Sequence, residues 1–272
     1  MRHHLMVISE NQKVNYNTLL LLYFMEEFMR RISLSKYREN LVFKGGFLLT
    51  SVFGLHSRTT KDIDLLVQKQ RMSDHNIIIM FEEIIAAEHD KDVHFEINEI
   101  REIQRENQYD GYSVTLSVRM FNIKEKFSID VVTGDPITPS KVIFPYTTLI
   151  KQESIHIYAY TMETVIAEKI HAVYHKGISN SRCKDFYDLY MISKLKKADI
   201  KTDNLLLALQ HTFLHRKTDF DENDILKQLD QIEQNEFMNV RWKTYAKKHP
   251  YAEGISFNET LDSIRNLLRE AN

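Results

Sequence analysis

The chain has 272 residues, 43% hydrophobic and 27% charged, with a formal net charge of -2. This composition indicates a globular protein of one or two domains, and the near-neutral charge leaves nucleic-acid binding only to a local basic patch. The single cysteine, Cys183, excludes an intrachain disulfide and fits a reducing compartment. No signal-peptide core follows Met1 and no apolar run is long enough to span a bilayer, so we predict a cytoplasmic protein without membrane contact.

The first 150 residues mix helix and strand signals. Apolar spacing predicts helices over residues 15–32, 47–53 and 74–88. Alternating or β-branched segments predict strands over residues 41–43, 62–67, 93–97, 113–118 and 127–132. Asp110-Gly111 is interpreted as a turn, and Gly134-Asp135-Pro136 as the end of the last strand.

Helix signals dominate beyond about residue 150. Thr161 is a candidate N-cap for a helix with an apolar stripe, and further helices are predicted over residues 184–195, 205–213, 222–232 and 257–268. We therefore expect an α+β protein with a mixed α/β domain over residues 1–150 and a helical domain over residues 151–272.

The most informative residues are Asp62 and Asp64, which lie within an apolar strand. Side chains at i and i+2 of a strand point the same way, so the two carboxylates project together and their repulsion favours a bound divalent cation. Asp130, within a later predicted strand, is a candidate third carboxylate. The alternative is an edge strand with solvated aspartates, but aspartate is depleted from strands and is costly beside Ile63 and Leu65 without a partner.

Two further segments could handle phosphates. Lys44-Gly45-Gly46 precedes a short helix whose N-terminus would attract an anion, and the hydroxyls of Thr59 and Thr60 could contact phosphate or metal-bound water. The alternatives are an ordinary turn and ordinary strand-entry residues. In the helical part, Lys169 could approach a triphosphate or belong to a salt-bridge network between two helices. Asp185 and Asp188 lie on one helix face with Lys184 in reach, and for Asp185 and Lys184, taken alone, the salt-bridge network is favoured.

These motifs together resemble the AbiEii/AbiGii-type nucleotidyltransferases, toxins of bacterial toxin–antitoxin and abortive-infection systems within the DNA polymerase β-like superfamily. The resemblance spans roughly residues 40 to 195. It rests on Lys44-Gly45-Gly46, on Arg58-Thr59-Thr60-Lys61-Asp62-Ile63-Asp64-Leu65, on Ala167-Glu168-Lys169 and on Arg182-Cys183-Lys184-Asp185-Phe186-Tyr187-Asp188-Leu189. Gly46 stands where the superfamily usually has serine, so that hydroxyl contact is missing.

The resemblance implies a polymerase β-like fold with a mixed sheet, followed by a helical domain that completes the active site. The catalytic residues that it implies are Asp62, Asp64, Lys169 and Asp185. The nucleotide would be contacted by Lys44, Gly45, Gly46, Thr60, Arg182 and Asp188. Mg²⁺ would be held by Asp62, Asp64 and Asp130. The implied reaction transfers a nucleoside monophosphate from a nucleoside triphosphate to an acceptor hydroxyl, with the tRNA 3′ end as acceptor and a cognate antitoxin as partner.

Two other functions fit the same residues. One is a catalytically inactive nucleotide-binding or protein-interaction module on this fold, since fold alone does not determine activity. The other is a metal-dependent phosphohydrolase, against which the absence of a His/Asp metal motif argues.

Overall fold

A computed structural model describes residues 1–55, 57, 60–87, 90–104 and 110–271. The chain forms two compact units, here named the sheet unit (Met1–Asp135 and Lys141–Tyr160) and the helical unit (Pro136–Ser140 and Thr161–Asn272). The chain therefore passes between the units three times. The domain boundary expected at residue 150 stays a prediction.

The sheet unit is built on seven strands: β1 (Leu41–Lys44), β2 (Asp62–Val67), β3 (His94–Gln104), β4 (Asp110–Met120), β5 (Ile123–Thr133), β6 (Val142–Thr147) and β7 (Ser154–Ala159). They form one sheet in the order β3-β4-β5-β2-β1-β7-β6. The pairs β2/β5 and β1/β7 are parallel, and the other neighbouring pairs are antiparallel. The predicted mixed sheet is thus confirmed.

Four helices complete the sheet unit: α1 (Arg2–Gln12), α2 (Tyr16–Leu34), α3 (Gly45–Phe53) and α4 (Asp74–Ala86). The side chain of Asn15 accepts a hydrogen bond from the first turn of α2, and that of Ser73 does the same for α4, which satisfies amide groups that a helix start leaves unpaired. Phe28 of α2 stacks on Phe81 of α4 and packs edge-on against Phe95 of β3. This aromatic cluster anchors α2 and α4 to the sheet.

The helical unit contains α5 (Met162–Lys176), α6 (Cys183–Leu195), α7 (Thr202–His215), α8 (Glu222–Gln234), α9 (Glu236–Lys248) and α10 (Phe257–Glu270), with short 3₁₀ turns at Gly177–Ser179, Lys197–Asp199 and Pro250–Ala252. Thr161 caps α5 as predicted, and Ser256 forms a capping box with Glu259 at α10. Phe257 packs against Phe186 and Trp242, so α10 shares its core with α6 and α9.

Several elements differ from the sequence-based predictions. The turn at Asp110-Gly111 is wrong: both residues begin β4, and the Gly111 backbone pairs with Ile103 and Val132 on its two sides. The strands β6 and β7 and the helices α1 and α9 were not predicted from the sequence. In the part of the chain that the structure describes, helices are too short or too polar to cross a membrane.

Candidate active site

A row of polar residues crosses the middle of the sheet. Lys44 of β1 pairs with Asp64 of β2, Asp64 pairs with Asp130 of β5, and Asp130 pairs with Ser113 of β4. Side chains of directly paired residues lie on the same face of a sheet, and Asp62, two residues before Asp64, shares that face. The register therefore brings the three predicted carboxylates to one face of two adjacent strands.

Asp62 is held by donors from the segment that precedes it. The hydroxyl of Thr60 donates to its Oδ1 at 2.6 Å, and the amide of Lys61 donates to the same oxygen at 3.3 Å. Thr60 is buried whereas Asp62 is half-buried. The described contact of Thr60 thus orients a carboxylate. The other hydroxyl candidate, Thr59, and its neighbour Arg58 lie outside the described residues.

Asp64 is held by the start of α3. The amide of Gly46 donates to Asp64 Oδ2 at 3.1 Å. Gly45 has φ of +61°, and a Cβ atom there would lie 1.9 Å from the same oxygen, so only glycine fits this approach. The positive end of the α3 dipole also favours a nearby anion. The close approach of the Asp64 carboxylate therefore requires glycine at position 45, and the segment is more than an ordinary turn.

Lys44 is buried, and its Nζ lies 2.6 Å from Asp135 Oδ2 and 4.9 Å from the centre of the Tyr160 ring. Sequence reasoning treated Asp135 only as part of the end of a strand. No local pattern reveals this pair, because 91 residues separate the two partners.

Among the contacts of Asp130 is a hydrogen bond from the hydroxyl of Ser113, at 2.7 Å between Oγ and Oδ1. Sequence reasoning missed Ser113 as well. A signal for it exists, because Ser113, Thr115 and Ser117 alternate with buried apolar residues along β4. That alternation places hydroxyl groups on the polar face of the sheet.

The donor set is suited to Mg²⁺. Hard oxygen ligands are the ones this ion prefers, and it is usually held by one or two carboxylates while waters and substrate phosphates complete its coordination. Asp62 and Asp64 supply such a pair, with Asp130 in register beside them. Within the described residues no three Asp, Glu, His or Cys side chains converge on one point.

The remaining predicted site residues form a second cluster inside the helical unit. Lys169 of α5 is buried, and its Nζ lies 2.6 Å from Asp188 Oδ2 and 3.0 Å from Asp185 Oδ1, both on α6. Arg182, just before α6, places Nε 3.1 Å from Asp185 Oδ2 and keeps about half of its side chain exposed. These contacts form the ion-pair network between two helices that the sequence offered as an alternative, and the nucleotide roles of these four residues stay predictions.

The charges of this second cluster are balanced locally. Burial acts to raise the pKa of Asp185, but Lys169 and Arg182 outweigh it, so the pKa lies below its ordinary value. Asp185 is therefore ionised at neutral pH although it is almost fully buried. Lys184, by contrast, is exposed.

With both clusters described, comparison with known proteins becomes informative. The family model for "Nucleotidyl transferase AbiEii toxin, Type IV TA system" matches residues 27–263. The chain belongs to this family. As a member of the AbiEii family it is a nucleotidyltransferase, and the type IV toxin–antitoxin system of the family implies an antitoxin partner and a nucleotide substrate.

Two solved structures share the fold. One is described as the crystal structure of a candidate nucleotidyltransferase from H. pylori, with 14% identity, a TM-score of 0.55 and coverage of 94% of this chain and 95% of that one. The other is JHP933 from Helicobacter pylori, with 15% identity, a TM-score of 0.55 and coverage of 94% and 92%. At these identities the likeness shows the fold alone, and it confirms the predicted α+β nucleotidyltransferase fold. No curated protein matches the chain significantly.

Proposed function

We propose that this AbiEii-family enzyme uses Mg²⁺ to transfer a nucleoside monophosphate from a nucleoside triphosphate to an acceptor hydroxyl at the tRNA 3′ end. Modification of tRNA then inhibits growth, and the cognate antitoxin restrains it. The observation that carries this proposal is the register of Asp62, Asp64 and Asp130 on one face, with the Gly45-Gly46 turn directly against Asp64.

The sheet unit supplies the residues that hold the metal and the phosphates. Asp62 and Asp64 would hold Mg²⁺, and Asp130, in register beside Asp64, is the candidate third ligand. When bound, the metal offsets negative charge on the attacking and leaving oxygens of the phosphoryl group. Thr60 and Gly46 keep the two carboxylates in place, so that they need not reorganise during the reaction. A carboxylate at the position of Asp130 can also accept the proton of the attacking hydroxyl.

The start of α3 favours the phosphates themselves. Amide groups in the first turn of a helix lack partners inside the helix and attract anions; in α3 the amide of Gly46 donates to Asp64, and the side chain of Lys44 before the helix provides no cap. Lys44 lies directly before this turn, and its positive charge is already paired with Asp135. In this proposal the amide groups at the start of α3, more than the paired Lys44, attract the triphosphate.

The family resemblance gives further roles to Lys169 and Arg182 of the helical unit. It assigns Lys169, whose Nζ is held by Asp185 and Asp188, to the pyrophosphate that leaves. Arg182 keeps an exposed guanidinium that can contact the nucleotide. The acceptor is supported by family resemblance, which points to tRNA.

A transfer assay tests the proposal. Purified protein is incubated with Mg²⁺, total tRNA and each α-labelled nucleoside triphosphate, beside the variants Asp62→Asn and Asp64→Asn. Loss of one metal ligand removes several kcal/mol of transition-state stabilisation, so we expect label transfer to fall at least about a hundredfold. The matched control is Asp74→Asn, which removes an exposed carboxylate of the same unit and should transfer label at the wild-type rate.

Three outcomes contradict parts of the proposal. Transfer that survives in both variants shows that the reacting phosphate lies elsewhere. Label transferred only to protein removes tRNA as the acceptor. Nucleotide binding without transfer to any RNA or protein supports the inactive module instead.

A further inference from the structure

Helix α9 presents an unusual face to solvent. It buries only Met238 and Trp242 along its length. Phe237 and Val240 are 77% and 60% exposed. The helix also carries four exposed cations against one carboxylate, Glu236; these are Arg241, Lys243, Lys247 and Lys248.

The cations and the apolar groups share one surface. Residues three and four apart are neighbours on a helix, so Phe237 lies beside Val240 and Arg241, and the lysines continue the same side of the helix toward its C-terminus. We name Phe237, Val240, Arg241, Lys243, Lys247 and Lys248 the α9 surface. In the part of the chain that the structure describes, its four cations form no ion pairs, whereas cations elsewhere in the unit do.

This surface is tied to the segment that leads into α6. One guanidinium nitrogen of Arg241 donates to the carbonyl oxygens of Ile178 and Asn180, at 3.2 and 3.3 Å. Ile178 is itself 49% exposed. Arg182 and Lys184, both exposed, follow directly along the chain. The positive charge of α9 therefore adjoins cations in one of the motifs that define the family resemblance.

The composition of the α9 surface indicates the class of ligand that it binds. Proteins that bind single-stranded nucleic acid combine cations, which contact successive phosphates, with exposed aromatic rings on which bases stack. A lipid surface requires a broad apolar face, and α9 offers only Phe237 and Val240 for insertion. A polyanion that also carries flat aromatic groups matches both the charge and the exposed ring.

We propose that the α9 surface binds the single-stranded part of the acceptor RNA, with a base stacked on Phe237 and phosphates on Arg241 and the following lysines. The identity of that RNA as the acceptor rests on the function proposed above. The surface itself does not depend on transfer activity, so binding and catalysis can be tested separately.

Binding of a short fluorescein-labelled single-stranded RNA to the full chain, followed by fluorescence anisotropy at several salt concentrations, tests the surface. In the variant Lys243→Glu/Lys247→Glu/Lys248→Glu three phosphate contacts are lost. We expect roughly a hundredfold weaker binding at about 0.1 M salt, and a dependence of log affinity on log salt that is shallower by about two. Phe237→Ala should weaken binding about tenfold through lost stacking.

Two control variants distinguish the loss of contacts at the α9 surface from a general change in net charge or in exposed apolar area. The variant Lys69→Glu/Lys91→Glu/Lys124→Glu makes the same change in net charge with exposed lysines of the sheet unit, and it should bind within about twofold of wild type. Leu214→Ala removes an exposed apolar group of similar size from α7, and it should not change binding. If the triple reversal at α9 lowers the unfolding temperature, Phe237→Ala and Lys247→Ala, which add no carboxylate, decide the test.

The transfer assay distinguishes failure of this inference from failure of the proposed function. In the α9 variants the KM for tRNA should rise, while kcat and the KM for the nucleoside triphosphate stay unchanged. Wild-type affinity and KM for RNA in the α9 variants would overturn the inference and leave the transferase proposal intact. Loss of binding to phosphatidylserine vesicles, with RNA binding unchanged, would assign the surface to lipid and also overturn it.

Discussion

Two buried carboxylates, one in each unit, are held by opposite means. In the helical unit, Asp185 lies against Lys169 and Arg182, and these charges bring its pKa below the ordinary value despite burial. In the sheet unit, Glu26 accepts hydrogen bonds from the Tyr146 hydroxyl and the Leu149 amide, and burial dominates, so its pKa rises to about 7. Cations keep the first carboxylate charged, whereas neutral donors leave the second close to protonation.

Asp62 and Asp64 resemble Glu26, with one difference. Their described contacts are also neutral donors, a hydroxyl and backbone amides, but both side chains are half-buried and reach solvent. A neutral donor orients a carboxylate without cancelling its charge. The comparison thus distinguishes buried carboxylates, which pack inside the fold, from Asp62 and Asp64, which have neutral donors and also reach solvent.

The largest expected effect comes from removing the cation of the helical unit. Lys169→Ala leaves Asp185 and Asp188 buried without their shared partner, so we expect the free energy of unfolding to fall by about 3–5 kcal/mol, measured by urea denaturation. The control Lys184→Ala removes an exposed lysine and should change it by less than about 0.5 kcal/mol. A free energy of unfolding equal to that of wild type in Lys169→Ala would contradict the comparison.

The next effect concerns pH and Glu26. Its folded pKa of about 7 lies above the ordinary value of 4.5. Below pH 4.5 both states are protonated; as the pH rises toward 7 the unfolded chain releases the proton first, so stability falls, by about 3 kcal/mol in total. Glu26→Gln should flatten this decline in unfolding temperature, whereas the exposed control Glu10→Gln should not. Parallel pH profiles for Glu26→Gln and wild type would refute the assignment.

The third prediction concerns the close approach of the start of α3 to the Asp64 carboxylate. Gly45→Ala places a methyl group on Asp64 Oδ2 and forces a positive φ on alanine, so we expect a loss of about 1–3 kcal/mol in stability. Displacement of the carboxylate by about 1 Å should reduce label transfer on the order of a hundredfold. Gly54→Ala is the control, because its φ is also positive but its Cβ would meet no atom of the described residues within 4 Å. Equal transfer in the two variants would contradict the requirement.

The smallest effect concerns Ser113. Ser113→Ala removes a neutral donor from the half-buried Asp130, and it should cost about 1 kcal/mol in stability. If Asp130 serves the site, transfer falls severalfold. Ser117→Ala, whose hydroxyl contacts Asn98, leaves transfer unchanged. Equal transfer rates in the two variants would remove Asp130 from the site.

The sequence predicts elements well where local pattern and burial agree. The bounds of β2 follow from its sequence, because Asp62 begins an apolar run that ends at Val67. The strand β6 escapes prediction because it lies at the edge of the sheet, where Val142 and Ile143 are exposed and Pro145 interrupts the pattern. Helix α9 escapes for a related reason, since its exposed apolar residues blur the amphipathic signal.

Some residues of the candidate site can likewise be predicted from the sequence, and others cannot. Asp62 and Asp64 are recognisable because two carboxylates within a strand conflict with strand propensity. The register that places Asp130 beside Asp64, and the pair of Lys44 with Asp135, depend on contacts between distant segments that no local pattern encodes. Sequence patterns thus reveal residues that conflict with the propensity of their strand. They do not reveal the distant partners that stabilise those residues in the fold.

The path of the chain has a consequence for its synthesis. Residues 136–140 belong to the helical unit, where the Thr138 carbonyl accepts a hydrogen bond from Thr161, yet β6 and β7 return to the sheet unit. On the ribosome, one edge of β1 stays unpaired until β7 has emerged, more than a hundred residues later. A gene cut near codon 150 would remove β7 from one product and residues 136–140 from the other, so neither half would encode a complete folding unit.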